Sequence, residues 1–156
     1  MTPPPAAPLP TPLPPGGLEG LVLGLHHVAI AVREIASVAP FYVESLGLTT
    51  VGPPEYVADQ KVNVLVLEAG GQRIELVEPA AEDSPISKFV AKREGLHHLA
   101  WQVDDLALVL ARLRARGTRL IDEAPRRGAH GTQIAFLHPA ATGGVLTELV
   151  QLPAPR

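Results

Sequence analysis

His98 stands in Gly95-Leu96-His97-His98-Leu99-Ala100-Trp101-Gln102-Val103, an apolar run opened by Gly and closed by Asp104-Asp105. Such a run predicts a β-strand. Alternation puts His98, Ala100 and Gln102 on one face and Leu99, Trp101 and Val103 on a greasy face for a helix to cover. A His beside a small Ala has open space in front of it, which suits a ligand or a metal ion. The same order occurs earlier, in Gly24-Leu25-His26-His27-Val28-Ala29-Ile30-Ala31-Val32, where His27 stands 71 residues before His98. Each copy is followed, roughly fifty residues on, by a carboxylate in an apolar strand. These are Glu75 in Ile74-Glu75-Leu76-Val77 and Glu148 in Leu146-Thr147-Glu148-Leu149-Val150.

A carboxylate in such a setting costs free energy unless it is paired, protonated or metal-bound. Two His and two Glu, one of each per copy, make a nitrogen and oxygen donor set for one divalent cation. Positions remain for water or substrate oxygens. A single strand His is more often a hydrogen-bonded structural residue, and Glu75 alone has Arg73 as a plausible partner. Four residues at matched positions in two copies favour the shared site. His26 and His97 also match each other, but alternation sends them to the greasy face as packed or edge residues. His138, before Pro139, reads as structural. His130, in Gly128-Ala129-His130-Gly131, sits in a turn that could touch a substrate.

The elements that must position these groups form two similar units, at about 21–80 and 95–152. In the first, a helix follows over Ser37–Gly47, with Ser37 as cap, Pro40 near the first turn and Gly47 as stop. A strand with an irregular connection around Pro53-Pro54 comes next. Val62–Glu68 and Arg73–Val77 form a hairpin across Gly70-Gly71. Between the units, Ser84-Pro85 opens a short helix carrying Ile86, Phe89 and Val90. In the second unit Asp104 or Asp105 caps a helix with Leu106, Leu110 and Leu113 on one face, stopped by Gly117. Thr118–Ile121 reads as a strand, and Gln133–Leu137 and Val145–Val150 as a hairpin across Gly143-Gly144.

The chain has 156 residues, enough for one domain with a real core, expected over 21–156. Ahead of it, residues 1–20 form a proline-rich tail expected to be extended or disordered, with Pro3, Pro4, Pro5, Pro8, Pro10, Pro12, Pro14 and Pro15. A net charge of −3 argues against general nucleic-acid binding. The absence of Cys excludes disulfides and thiolate metal sites. No apolar run reaches a membrane span, and no basic region precedes an apolar secretory core. The cytoplasm is the expected compartment.

These motifs together resemble the vicinal oxygen chelate superfamily, which includes glyoxalases, bleomycin-resistance proteins and dioxygenases. Within it the chain is most similar to the methylmalonyl-CoA epimerase family. The residues that carry the likeness are His26-His27-Val28-Ala29-Ile30-Ala31-Val32, Phe41-Tyr42, Leu46-Gly47-Leu48, Ser84-Pro85-Ile86-Ser87-Lys88-Phe89 and Gly95-Leu96-His97-His98-Leu99-Ala100-Trp101. Phe136-Leu137-His138-Pro139, Thr142-Gly143-Gly144-Val145-Leu146 and Glu148-Leu149-Val150-Gln151 complete it. The resemblance implies an α+β fold of two paired βαβββ modules, forming a cupped mixed β-sheet around a central metal site, in a homodimer. It implies one divalent metal ion at His27, Glu75, His98 and Glu148, with cobalt favoured and manganese, nickel or zinc compatible. The implied reaction is inversion at C2 of an acyl-CoA substrate, with Glu148 and Glu75 as the catalytic acid–base pair. Lys88, Arg126, Arg127, His130 and Gly131 are the further candidate substrate contacts. Two positions depart from the family pattern. Val62, Asn63 and Val64 occupy a strand where some members carry a carboxylate, and Ala140 replaces the usual Lys after His-Pro. A glyoxalase-I-type lactoylglutathione lyase, a ring-cleaving dioxygenase and a metal-free antibiotic-binding protein are the rival readings on the same fold. The two full His/Glu pairs speak against the last two.

Overall fold

The computed structural model describes residues 17–156. Most of the proline-rich tail lies outside the described residues. The expected disorder through residue 20 is corrected at its end: Gly17 already accepts a hydrogen bond from Arg112, and Leu18 and Leu21 pack against the second unit's core.

The first unit contains β1 (Val22–Ala31), α1 (Ile35–Pro40), β2 (Thr49–Thr50), β3 (Glu55–Val57), β4 (Val62–Ala69) and β5 (Gln72–Pro79). After α2 (Ser87–Lys92), the second unit contains β6 (Gly95–Val103), α3 (Leu106–Ala115), β7 (Arg126–Arg127), β8 (Gln133–Leu137) and β9 (Thr147–Gln151). All the described strands join one mixed sheet in the order β2-β4-β5-β1-β6-β9-β8-β7, with β3 paired to β4. The two halves are related by a pseudo-two-fold axis between β1 and β6, which pair antiparallel. Each of these central strands has a parallel neighbour: β5 beside β1 and β9 beside β6. The expected pair of βαβββ modules is therefore present.

Apolar residues on both faces explain the layers. On β4, Leu65 and Leu67 pack with Leu76, Ile35, Val38 and Tyr42 under α1. The alternate residues Val62, Val64 and Val66 pack with Val77, Ile86 and Val90 on the other face. In the second half α3 lays Leu106, Val109 and Leu110 on Ala135, Leu137 and Leu149. Full burial of each such side chain contributes about 1.5–3 kcal/mol. The sheet curls so that β4, β5, β1, β6, β9 and β8 all line one cavity of about 420 Å³.

Local signals read correctly in some places and not in others. Asp105 caps α3, its carboxylate accepting from the Leu108 amide at 2.9 Å, and Gly117 adopts φ 77 after the helix. The first helix begins at Ile35 rather than after Ser37, so Pro40 lies beyond its first turn. Pro40 has no amide to donate, and the chain continues as a π-helical turn over Phe41–Ser45. Ser84-Pro85 forms a turn ahead of α2, which starts at Ser87. Thr118–Ile121 is not a strand: only Leu120 bridges, to Leu137. The two-residue β7 at Arg126–Arg127, paired with β8, is too short to leave a strand pattern in the sequence. Helices cover only the flanks of the β1/β6 seam. Val103 is buried, but Trp101, paired with Leu25, stays 38% exposed.

Candidate functional site

The site is built on the register of the four central strands. Ala29 on β1 pairs with Glu75 on one side and His98 on the other. Ala100 on β6 pairs with His27 on one side and Glu148 on the other. Two rows, Glu75–Ala29–His98 and His27–Ala100–Glu148, thus cross the sheet, each with a fully buried alanine at its centre. The small methyl groups leave space for the longer side chains that flank them. His27 Nε2 lies 3.3 Å from His98 Nε2 and 3.2 Å from Glu75 Oε2. His98 Nε2 lies 3.0 Å from Glu148 Oε2. Arg73, the alternative partner for Glu75, bonds Glu68 instead.

Burial sets the charge state of this cluster. It pushes the Glu75 carboxyl up to about 8, helped by the Glu148 charge and opposed by Arg73. It pushes Glu148 up to about 8 as well, with Asp122 adding to the shift. Burial takes His98 down to about 4, and His27 to about 2 with His98, His26 and Arg73 adding to it. At neutral pH, without a cation, the His–Glu contacts are therefore hydrogen bonds between neutral groups rather than ion pairs.

This donor set fits a divalent cation. His27, His98 and Glu148 present ligand atoms within 4.8 Å of one another, and Glu75 joins through His27 in a second group with His26. Two nitrogens each about 2.1 Å from one ion, at angles near 100°, stand roughly 3.2 Å apart, close to the separation seen here. Imidazole and carboxylate suit zinc, cobalt, nickel or manganese.

His26 and His97 require a correction. They face the cavity, not the greasy side. Between Leu25 and His27 the β1/β6 register slips by one residue, and it slips again where His98 and Leu96 flank His97. Each slip is a β-bulge, which turns two successive side chains to the same face. His26 Nδ1 lies 2.8 Å from His27 Nδ1, and His97 Nδ1 lies 2.9 Å from His98 Nδ1. Phe136 meets the His98 ring edge-on at 5.1 Å, and Phe89 meets His97 at 5.0 Å.

Of the further candidates, His130 and Arg126 line the cavity, whereas Lys88, Arg127 and Gly131 do not. His130 has φ 56, left-handed and strained for a residue with a Cβ. Its amide donates to Glu55 of β3 at 2.8 Å, and Arg126 donates to the Asp59 carbonyl at 2.9 Å. These bonds tie the second unit to the first across the cavity from the β1/β6 seam. Glu55 carried no sequence signal, because its partner is 75 residues away. His138 is structural as read, its Nδ1 accepting from the Ala140 amide at 3.0 Å.

Comparison with known proteins agrees with this architecture. Residues 26–136 match the model of the glyoxalase/bleomycin resistance protein/dioxygenase superfamily. The chain is 43% identical over 128 residues to the uncharacterized protein YqjC of Bacillus subtilis, covering 81% of this chain and 91% of that one. It is 38% identical to the ethylmalonyl-CoA/methylmalonyl-CoA epimerase of Cereibacter sphaeroides, covering 82% and 97%. The crystal structure of methylmalonyl-CoA epimerase from Mycobacterium tuberculosis superposes with a TM-score of 0.80 at 41% identity, covering 86% and 91%. With its duplicated modules and its match across most of its length, the chain belongs to the glyoxalase/bleomycin resistance protein/dioxygenase superfamily.

Proposed function

We propose that this protein is a metal-dependent acyl-CoA epimerase that interconverts the C2 epimers of methylmalonyl-CoA. The observation that carries this reading is that ligand atoms of His27, His98 and Glu148 lie within 4.8 Å of one another in a cavity walled in part by Val62, Val64 and Val66, with Glu75 3.2 Å from His27. The epimerase relatives make the acyl-CoA substrate the reading of choice. His27, His98 and Glu148 would hold the cation, with Glu75 completing the set. Bound there, a divalent cation supplies Lewis-acid stabilisation of the negative charge that develops on substrate oxygens.

The chain's own residues do the rest. Glu148, on β9, takes the C2 proton on one face of the substrate. Glu75, on β5 in the other unit, delivers a proton on the opposite face. The aliphatic wall of Val62, Val64 and Val66 excludes water and accommodates the methyl-bearing acyl head. We further propose that the protein is a homodimer, formed through the uncovered outer face at the β1/β6 seam. Leu25, Leu96 and Trp101 are 45%, 68% and 38% exposed there, a strip suited to a protein partner.

The test is incubation with methylmalonyl-CoA in deuterated water, with and without chelator. Metal-dependent deuterium uptake at C2 with epimer interconversion is expected. Uptake unaffected by chelation would overturn the metal's role. Turnover of a glutathione hemithioacetal without uptake would favour the glyoxalase-type isomerase.

A further inference from the structure

We infer that His26 and His97 are positioning residues that fix the ring tautomers of His27 and His98, each accepting the Nδ1–H of the His that follows it. This rests on the reading that His27 and His98 grip a cation through Nε2. A neutral imidazole that offers one nitrogen as ligand keeps its proton on the other. For both inner rings that other nitrogen is Nδ1. The bonded neighbour of each Nδ1 is the Nδ1 of the preceding His, at 2.8 Å for His27 and 2.9 Å for His98. A buried N–H must find an acceptor, and here the acceptor is a second imidazole rather than a carboxylate or carbonyl. The outer rings then carry their own protons on Nε2.

The structure leaves the outer tautomer open to follow the inner one. His26 Nε2 is buried and has no hydrogen-bond partner among the described residues, so the proton it carries goes unpaired there, a cost that the Nδ1 bond to His27 and the bond from His27 to the ion must outweigh. Around His97 the neighbour is the apolar edge of Phe89. The twin β-bulges give the device its reason. Two consecutive strand residues ordinarily face opposite ways, and only the slip beside His26 and the slip beside His97 bring each pair together.

The test uses the full chain labelled with ¹⁵N in its histidine rings and loaded with Zn²⁺. Two-bond ¹⁵N–¹H correlation reads each tautomer directly, whatever the activity. Protons on Nδ1 of His27 and His98 and on Nε2 of His26 and His97 are expected. A proton on Nδ1 of either outer ring would overturn the inference. His26→Leu and His97→Leu should weaken Zn²⁺ binding by about 10–100-fold. His26→Asn and His97→Asn, which return an acceptor oxygen near the Nδ1 position, should recover most of that loss. Leu variants that bind Zn²⁺ like the parent chain would also overturn it. Should the parent chain itself take up no Zn²⁺, the cation site falls and this inference with it. Zn²⁺ uptake with the wrong outer tautomer sinks the inference alone.

Discussion

His27 and His98 come from strands 71 residues apart in sequence, yet their Nε2 atoms stand 3.3 Å apart at the centre of the molecule. The pseudo-two-fold axis between β1 and β6 produces this meeting, because equivalent residues on the two central strands must lie close to it. Ala29 and Ala100 are the complementary half of the arrangement. Each lies between a His and a Glu, and neither projects far enough to fill the space they share.

The space above these alanines is the first thing to test. Ala100→Val adds two methyl groups between His27 and Glu148 without touching either ligand. Over-packing of this kind costs about 1–3 kcal/mol of stability. Cation affinity should fall at least about tenfold, the equivalent of about 1.4 kcal/mol, while the fold persists. Isothermal titration with Co²⁺ beside a thermal melt measures both. Parent-like affinity in a folded variant would show that the ion does not sit over Ala100.

Glu148→Gln keeps the shape of the side chain and removes its ability to carry a proton. General acid–base groups contribute about 10²–10⁴-fold, so deuterium uptake at C2 should slow by that order. Proton NMR of methylmalonyl-CoA in deuterated water follows it. Exchange at the parent rate would remove Glu148 from the role of base.

The buried titrating groups give stability a pH dependence of definite sign. Without a cation, Glu75 and Glu148 titrate near 8 in the folded chain against an ordinary value of 4.5. The folded state then binds more protons than the unfolded one between these values, so the carboxyl contribution is full below 4.5 and is lost as pH rises toward 8. His98, held near 4 against 6.5, acts oppositely and costs stability as pH falls below 6.5. Above 6.5 only the carboxyl effect remains. The melting temperature of the chelated protein should therefore fall from pH 6.5 to 8. Cation binding displaces those protons, so the gain in melting temperature on adding Co²⁺ should grow over the same range. Melts at half-unit intervals with and without chelator check both slopes. A flat profile in chelator would contradict the neutral, buried carboxyls.

Leu25 and Trp101 pair across the β1/β6 seam on its outer face. If that strip holds two copies together, Trp101→Glu places a charge in the contact and should shift the protein from dimer to monomer. Light scattering after size exclusion reads the mass. A monomeric parent chain, or a dimeric variant, would rule this face out.

The duplication was legible in sequence because each half repeats the Gly-Leu-His-His strand and its later carboxylate. Those four positions depend on strand periodicity and register, and regular pleating carries both. Strict alternation sends His26 and His97 to the greasy face, but a bulge at each breaks period two, and nothing in Leu25-His26-His27 or Leu96-His97-His98 announces one. Gly24 and Gly95, with φ 150 and 141, hint at irregularity without locating it. The Glu55–His130 tie was invisible for another reason: it joins a two-strand edge to a distant loop, and no local pattern encodes such a contact. Pro40 differs for a third reason: its missing amide favours the first turn of a helix, but here the helix begins at Ile35 and the chain widens into a π turn after Pro40.

The most direct measurement is titration of the chelator-treated protein with Co²⁺, followed by its visible d–d absorption. One ion per chain is expected, with the spectrum altered or lost in His27→Ala, His98→Ala and Glu148→Ala. Absence of saturable binding, or binding that those three substitutions leave unchanged, would contradict a single cation shared between the two halves.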